Sequence, residues 1–473
     1  MGSRATVRAV LRWSSVAAAA GLASVASAQT TLPGTPQSTA PPGTDATPQG
    51  PLTRIGYLVT AGVGESDNIN LLPSGGKAET ITEQGVDFTW HETRPLFDVN
   101  MDGDLNYLEY LQHTYSNEVV GNFLGQAQVT LVPELLTWSA ADNFGQGRVD
   151  PLTAVTPNNR ENINYFTTGP ELLLPLGPLM LLDATATYGK VSYQVTPLDS
   201  QRFAGGLGLI RKLDPTSSVS LNVRDTHADF SNDELNPDFQ RQDAFLRYDL
   251  TTKRTVLGID LGYSKLREAQ SPGQGLLARF EASRHLSPSS AVTVTFGQQY
   301  SDAADAFKLG QTLGGATLNT SSVTQTATPF ISQYETIAWN FQRARTGFGI
   351  GVEHYKDAYT QPSNLDDNRT QLDAHFSRRL TPTLEGALIG QYFRQQFNTL
   401  IGNSNETIAD AQLTWHAGRR LSFVFDVDRW TRRSNAPGTN FSEDRVWLRL
   451  SYGRPAPPMR GPAVPPLPIE VNR

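Results

Sequence analysis

In Leu182-Asp183-Ala184-Thr185-Ala186-Thr187-Tyr188, apolar side chains fall on the even positions and polar ones on the odd positions. Successive residues of a strand point to opposite faces, so this segment has one greasy side and one wet side. Val219-Ser220-Leu221-Asn222-Val223-Arg224, Val292-Thr293-Val294-Thr295-Phe296 and Leu372-Asp373-Ala374-His375-Phe376 repeat the pattern. The rhythm runs from about Ile55 to Tyr452 in segments of roughly ten residues, the signature of strands that cross a bilayer with lipid outside and water inside.

The connections alternate in length. Short links fall at 93–95, 132–134, 175–178, 214–216, 252–254, 287–289, 342–345, 381–383 and 418–420, many carrying proline. Longer polar links fall at 64–78, 147–162, 226–237, 301–328, 356–368, 395–405 and 431–442. Outer-membrane barrels have short periplasmic turns and long extracellular loops, so the alternation predicts the orientation. The expected fold is all-β: a transmembrane antiparallel up-and-down barrel of about twenty strands, or eighteen if a terminal segment stays outside. So wide a cylinder needs a water channel or a plug, because its own side chains cannot fill it. The longest link, 301–328, is a candidate for folding inward as a constriction.

Composition excludes the main rivals. Hydrophobic residues make up 38% and mean hydropathy is −0.35, too low for a bundle of membrane helices. The longest apolar stretch, 172–182, is interrupted by Pro175 and Pro178 and is too short to span as a helix. With no cysteine, disulfides and thiolate metal sites fall away.

Residues 1–28 have the form of a secretory signal peptide: Arg4, Arg8 and Arg12, a small apolar core, and Ala26-Ser27-Ala28 as the cleavage site. Removing those arginines takes the net charge from −7 to about −10, which argues against nucleic acid as a partner. Residues 29–53 form a Pro/Thr-rich periplasmic lead, 54–453 the barrel and 454–473 a Pro-rich tail. The expected setting is the outer membrane of a Gram-negative cell, with membrane lipid and the barrel-assembly machinery as partners.

Asp98, Asn100, Asp102, Asp104 and Glu109 match an EF-hand loop, yet Pro95 and a period-two segment precede them instead of a helix. The same residues read better as a strand with Asp98, Asn100, Asp102, Asp104 and Asn106 on one face. Gly347, Gly349 and Gly351 likewise share one face of a strand, and no phosphate-cradling turn follows. No G-x-S-x-G motif or metal-ligand spacing of histidines occurs, so neither enzymatic activity nor a cofactor is expected.

Charged residues on the wet faces are the chemically distinctive feature. Candidate lumen-lining residues are Asp183, Arg224, Arg247, Asp260, Arg279, Glu281, Asp373, His375, Arg379, Asp426 and Arg449. Facing lipid at mid-bilayer would cost such a charge about 2 to 4 kcal/mol, so they are expected to face inward. Mixed signs suit a hydrated path for polar solutes, anionic ones included. Trp90, Trp138, Tyr188, Tyr263, Trp339, Tyr392, Trp415 and Trp430 near strand ends are candidates for an interfacial girdle or for lumenal sugar platforms.

Four stretches carry a family likeness: Gly62-Val63-Gly64-Glu65-Ser66-Asp67-Asn68-Ile69 followed by Leu71; Leu105-Asn106-Tyr107-Leu108-Glu109-Tyr110; Leu131-Val132-Pro133-Glu134-Leu135-Leu136; and Val149-Asp150-Pro151-Leu152-Thr153-Ala154-Val155-Thr156-Pro157. Between about Gly62 and Asn159 the chain resembles the exosortase/PEP-CTERM-associated outer-membrane β-barrel family, a branch of the β-barrel porins found near exopolysaccharide genes. That resemblance implies a channel for polysaccharide export, with polysaccharide and periplasmic export components as partners and no catalytic residues. The alternatives are a general or sugar-selective uptake porin and a non-conducting structural or adhesive surface barrel.

Overall fold

The computed structural model describes residues 52–232, 236–268, 272–313, 324–360, 365–398 and 402–454. The signal peptide at 1–28, nearly all of the lead at 29–53 and the tail beyond Arg454 lie outside the described residues. The strands are β1 (Leu52–Ser66), β2 (Glu79–Arg94), β3 (Phe97–Tyr110), β4 (Glu118–Val132), β5 (Leu136–Arg148), β6 (Arg160–Pro175) and β7 (Met180–Tyr193). They continue with β8 (Ser200–Asp214), β9 (Ser217–Phe230), β10 (Phe239–Thr251), β11 (Thr255–Glu268), β12 (Gly273–Ser287) and β13 (Ser290–Ser301). A helix, α1 (Ala303–Leu313), follows β13. The ring is completed by β14 (Phe330–Arg343), β15 (Thr346–Tyr359), β16 (Asp367–Arg379), β17 (Leu384–Phe397), β18 (Ser404–His416), β19 (Leu421–Ser434) and β20 (Phe441–Arg454).

Each strand pairs antiparallel with its sequence neighbours, and β1 pairs with both β2 and β20, which closes the 20-stranded sheet. The closing register sets Thr60 opposite Ser451, and their hydroxyls lie 3.1 Å apart. No free edge remains, as a lipid environment demands.

Burial runs opposite to that of a soluble protein. Leu221 is 59% and Leu261 60% exposed, while the charged Arg247 is 8% and Asp260 1% exposed. The greasy face is therefore the exterior. In β20 the outward positions are Val446, Leu448, Leu450 and Tyr452, and the inward ones include Glu443, Arg445 and Arg449. This is a transmembrane barrel, with lipid in the place of a core.

One rim carries only tight links of two to four residues; the other carries the long ones. All nine short links fall where proline and the pattern break expect them. The long rim holds ten connections instead of seven, because 111–117, 194–199 and 269–272 are also crossings. Only 111–117 lacks both glycine and proline; Pro197 and Pro272 mark the other two.

The acid-rich stretch from Asp98 to Glu109 is part of β3, so its alternate acids line one strand face and do not wrap around an ion. Trp90 and Phe97 face outward together, as do Trp339 with Phe348 and Trp415 with Phe423, at ring separations of 6.4, 5.3 and 5.4 Å. Trp430 departs from the girdle expectation. It lies inward, 7% exposed, because β19 places Asp426, Asp428, Trp430 and Arg432 on its lumenal face.

Gly121 in β4 has φ +150°, and a Cβ there would lie 2.0 Å from the Asp104 carbonyl oxygen. Gly121→Val should destabilise the barrel by about 1–3 kcal/mol through backbone strain alone. The readout is the temperature at which the folded, fast-migrating electrophoretic form is lost; an unchanged temperature would contradict the strain.

Candidate functional site

The candidate lumen residues all lie on inward-facing positions, and the structure sorts them into groups. Across β10, β11 and β12, Arg247 is a hub. Its Nε donates to both Asp249 oxygens at 2.9 and 3.0 Å, its Nη1 to Asp260 at 3.2 and 3.3 Å, and its Nη2 to Glu281 Oε1 at 3.2 Å. Arg279 Nε donates to the same Asp260 at 2.8 Å. The strand register dictates this, since Arg247 sits opposite Asp260 and Asp260 opposite Arg279. Gly258 makes the room, because a Cβ there would stand 2.6 Å from Glu281 Oε1.

Arg449 and Asp426 form a second group with Glu83: Arg449 Nε donates to Glu83 at 2.6 Å and Nη1 to Asp426 at 3.5 Å. The others belong to neither group. Arg224 lies opposite Asp243 in the β9–β10 register, and one Asp183 oxygen is buried without a hydrogen-bond partner. Asp373 and His375 fold flat over Gly351 and Gly349 of β15, whose missing side chains leave that space. Arg379 is exposed at the short-turn end of β16.

The wall from β18 through β3 is acidic and under-compensated. Register sets Asp410 opposite Asp428 and Asp87 opposite Asp104. Like charges directly opposite destabilise a sheet. Arg445 answers Asp428, with Nε and Nη2 donating at 2.9 and 2.8 Å, while one Asp410 oxygen has no hydrogen-bond partner.

Two connections fold into the long-loop mouth. The first is 149–159, held by a cluster of three charges. Arg148 Nη2 donates to Glu406 Oε1 at 3.3 Å and Arg432 Nη1 to the same oxygen at 3.2 Å. Arg432 also donates to the carbonyls of Thr153 and Leu152 at 2.7 and 2.9 Å. Ala154 and Val155 pack with Leu71, Trp430 and Phe441. Because β5 and β18 are far apart around the ring, this contact crosses the lumen.

The second is α1, which begins at Asp302, whose Oδ1 caps the Asp305 N–H at 2.9 Å. Ala304 and Phe307 pack against Ile163, Tyr165 and Val191 of β6 and β7, well around the ring from β13. Arg202 pairs with Asp302, and Arg241 Nη1 donates to Asp305 at 3.0 Å and to the Tyr300 carbonyl at 2.9 Å. The inward folding expected of 301–328 is thus what α1 does.

The charges that hold these two segments escaped sequence reasoning. Strand parity alone marks Arg202, Arg241 and Arg432 as inward. Nothing local marks Arg148, whose partner lies 258 residues away and whose strand end leaves the regular alternation.

No protein-family profile matches the chain, and no curated protein does. Among solved structures it is similar to a mutant ferric enterobactin receptor of Pseudomonas aeruginosa, at 9% identity over 84% of this chain and 80% of that one, with a TM-score of 0.44. It is also similar to the siderophore receptor PirA of Acinetobacter baumannii (10% identity, 84% and 80% covered, TM-score 0.44) and to OccK8 of Pseudomonas aeruginosa (10%, 86% and 98%, 0.34). At these identities and scores the likeness carries nothing about function. The closed ladder, greasy exterior and charged interior themselves define an outer-membrane β-barrel.

Proposed function

We propose that the protein is a passive outer-membrane channel associated with exopolysaccharide secretion. The observation that carries the channel reading is the charged lumen, whose mouth is narrowed by the 149–159 connection and α1. Support for exopolysaccharide is the resemblance of Gly62 to Asn159. Two of its four stretches converge at that mouth, where Leu71 of the first packs on Ala154 and Val155 of the last.

A sugar-selective uptake channel is the second reading, favoured by the narrowing at α1. In planar bilayers the purified protein should give discrete conductance steps under either reading. Silence would favour a non-conducting surface barrel. Deleting the gene separates the two: loss of secreted polysaccharide with unchanged growth on small sugars supports export, and the reverse pattern overturns it.

A further inference from the structure

The wall is not uniform. The β4–β5 ladder runs upward only to Phe123 opposite Phe144, leaving 118–122 and 145–148 unpaired with each other. Gly145, Gln146, Gly147 and Arg148 are all buried without alternation, and the top of β5, still laddered to β6 as far as Arg148 opposite Arg160, has parted from β4. The cause is Arg148, drawn across to Glu406 with the 149–159 connection behind it.

Side chains close the resulting gap. Asn162 of β6 donates past β5 to the Val119 carbonyl of β4 at 3.4 Å, and Arg160 of β6 pairs with Glu118 of β4. Gln146 Oε1 accepts the Gly121 N–H at 3.3 Å. Two backbone groups that a ladder would satisfy, the Gly121 N–H and the Val119 carbonyl, are held here by side-chain amides, and one ion pair spans the gap beside them. The apolar exterior reaches this level, with Val119 47% and Tyr107 39% exposed.

The ladder of β12 and β13 also stops early, at Ala278 opposite Gln298. There the Tyr300 ring, 4% exposed, packs among Leu198, Phe230, Phe239 and Leu266, so that seam is plugged. At the β4–β5 seam the filling is polar instead: Gln146, Asn162, Arg160 and Glu118.

We propose that the β4–β5 seam is a lateral window through which the hydrocarbon chain of an outer-leaflet amphiphile passes between membrane and barrel interior. A few side-chain bonds, each worth about 0.5–1.5 kcal/mol net, part more readily than a continuous strand ladder. A polar frame of Asn162, Gln146, Arg160 and Glu118 beside the apolar Val119 and Tyr107 matches a molecule with a polar head and a long chain.

The test uses the full mature protein in vesicles of phosphatidylethanolamine and phosphatidylglycerol, with a benzophenone amino acid in place of inward-facing Val120. A second probe replaces inward-facing Gln126, where the β4–β5 ladder is intact. Illumination should give phospholipid adducts at position 120 and none at 126. A disulfide across the first missing rung, Asn122→Cys with Gly145→Cys, should abolish the adducts when oxidised and restore them when reduced. The electrophoretic shift of the folded barrel checks each variant. Position 120 free of adducts while a probe at outward-facing Val119 labels, or adducts at 120 and 126 that ignore the disulfide, would overturn the window.

Discussion

Exchanging both Asp302 and Asp305 for asparagine should raise unit conductance and make the open channel noisier. Arg202 and Arg241 would lose the acids that hold α1 in the mouth, and Arg202 is only 4% exposed. Removing one partner of a buried ion pair costs about 3–5 kcal/mol. At about 1.4 kcal/mol per factor of ten, even the lower figure shifts the docked-to-undocked ratio of α1 by about a hundredfold. The apolar seat of Phe307, worth about 1.5–3 kcal/mol, opposes release without cancelling it.

Acidity tests the same lock. Burial pushes the Asp305 carboxyl up, but Arg241, Arg202 and Lys308 outweigh it and hold it below the ordinary aspartate range. A carboxylate depressed in the docked state contributes its stabilisation above the free-aspartate value of about 4. That contribution is lost as the pH falls through the docked value. The α1 lock should hold level from about pH 7 to 5 and loosen only in stronger acid, read as a rise in open-channel noise. A double variant with wild-type conductance and the same acid response would show that Phe307 and its neighbours, and not the charges, hold α1.

The wall was legible because its physics is local. Period-two alternation names the lipid face of Val219, Leu221 and Val223 without any partner strand in view, and Pro215 or Pro288 marks a tight turn by its fixed φ alone. The interior was legible by half. Parity turns Arg247 and Asp260 inward, but only the register makes one guanidinium the hub of three carboxylates. The mouth was legible only in outline, as a long link able to fold in. Its anchors, Arg148 to Glu406 and Arg202 to Asp302, join positions far apart in sequence, and parity, which turns Arg202 and Glu406 inward, names no partner. Trp430 shows the limit in one residue: near a strand end it reads as girdle or as lumenal platform, and only its indole N–H, donating inward to Glu406 at 3.3 Å, decides for the lumen.

The channel should pass cations in preference to anions, against the expectation that mixed lumenal charge suits polar solutes, anionic ones included. Asp410 opposite Asp428 and Asp87 opposite Asp104 are pairings a sheet adopts at a cost of about 0.2–1 kcal/mol each. Rings and rows of acids are how cation pores attract their ions. Under a potassium chloride gradient the reversal potential should carry the sign of potassium selectivity. The preference should weaken at about 1 M salt, where screening reaches only about 3 Å. Replacing Asp410, Asp428, Asp87 and Asp104 by asparagine tests the function. Selectivity should fall toward that of free diffusion in that variant, while Asp410→Asn with Asp87→Asn alone, which breaks both facing pairs and leaves Asp428 to Arg445, should raise thermal stability as the repulsions vanish. Such a lumen disfavours a polyanionic chain, so an exported polymer would be neutral or carry amino groups. A wild-type reversal potential of chloride sign would remove the acidic wall from the account of permeation.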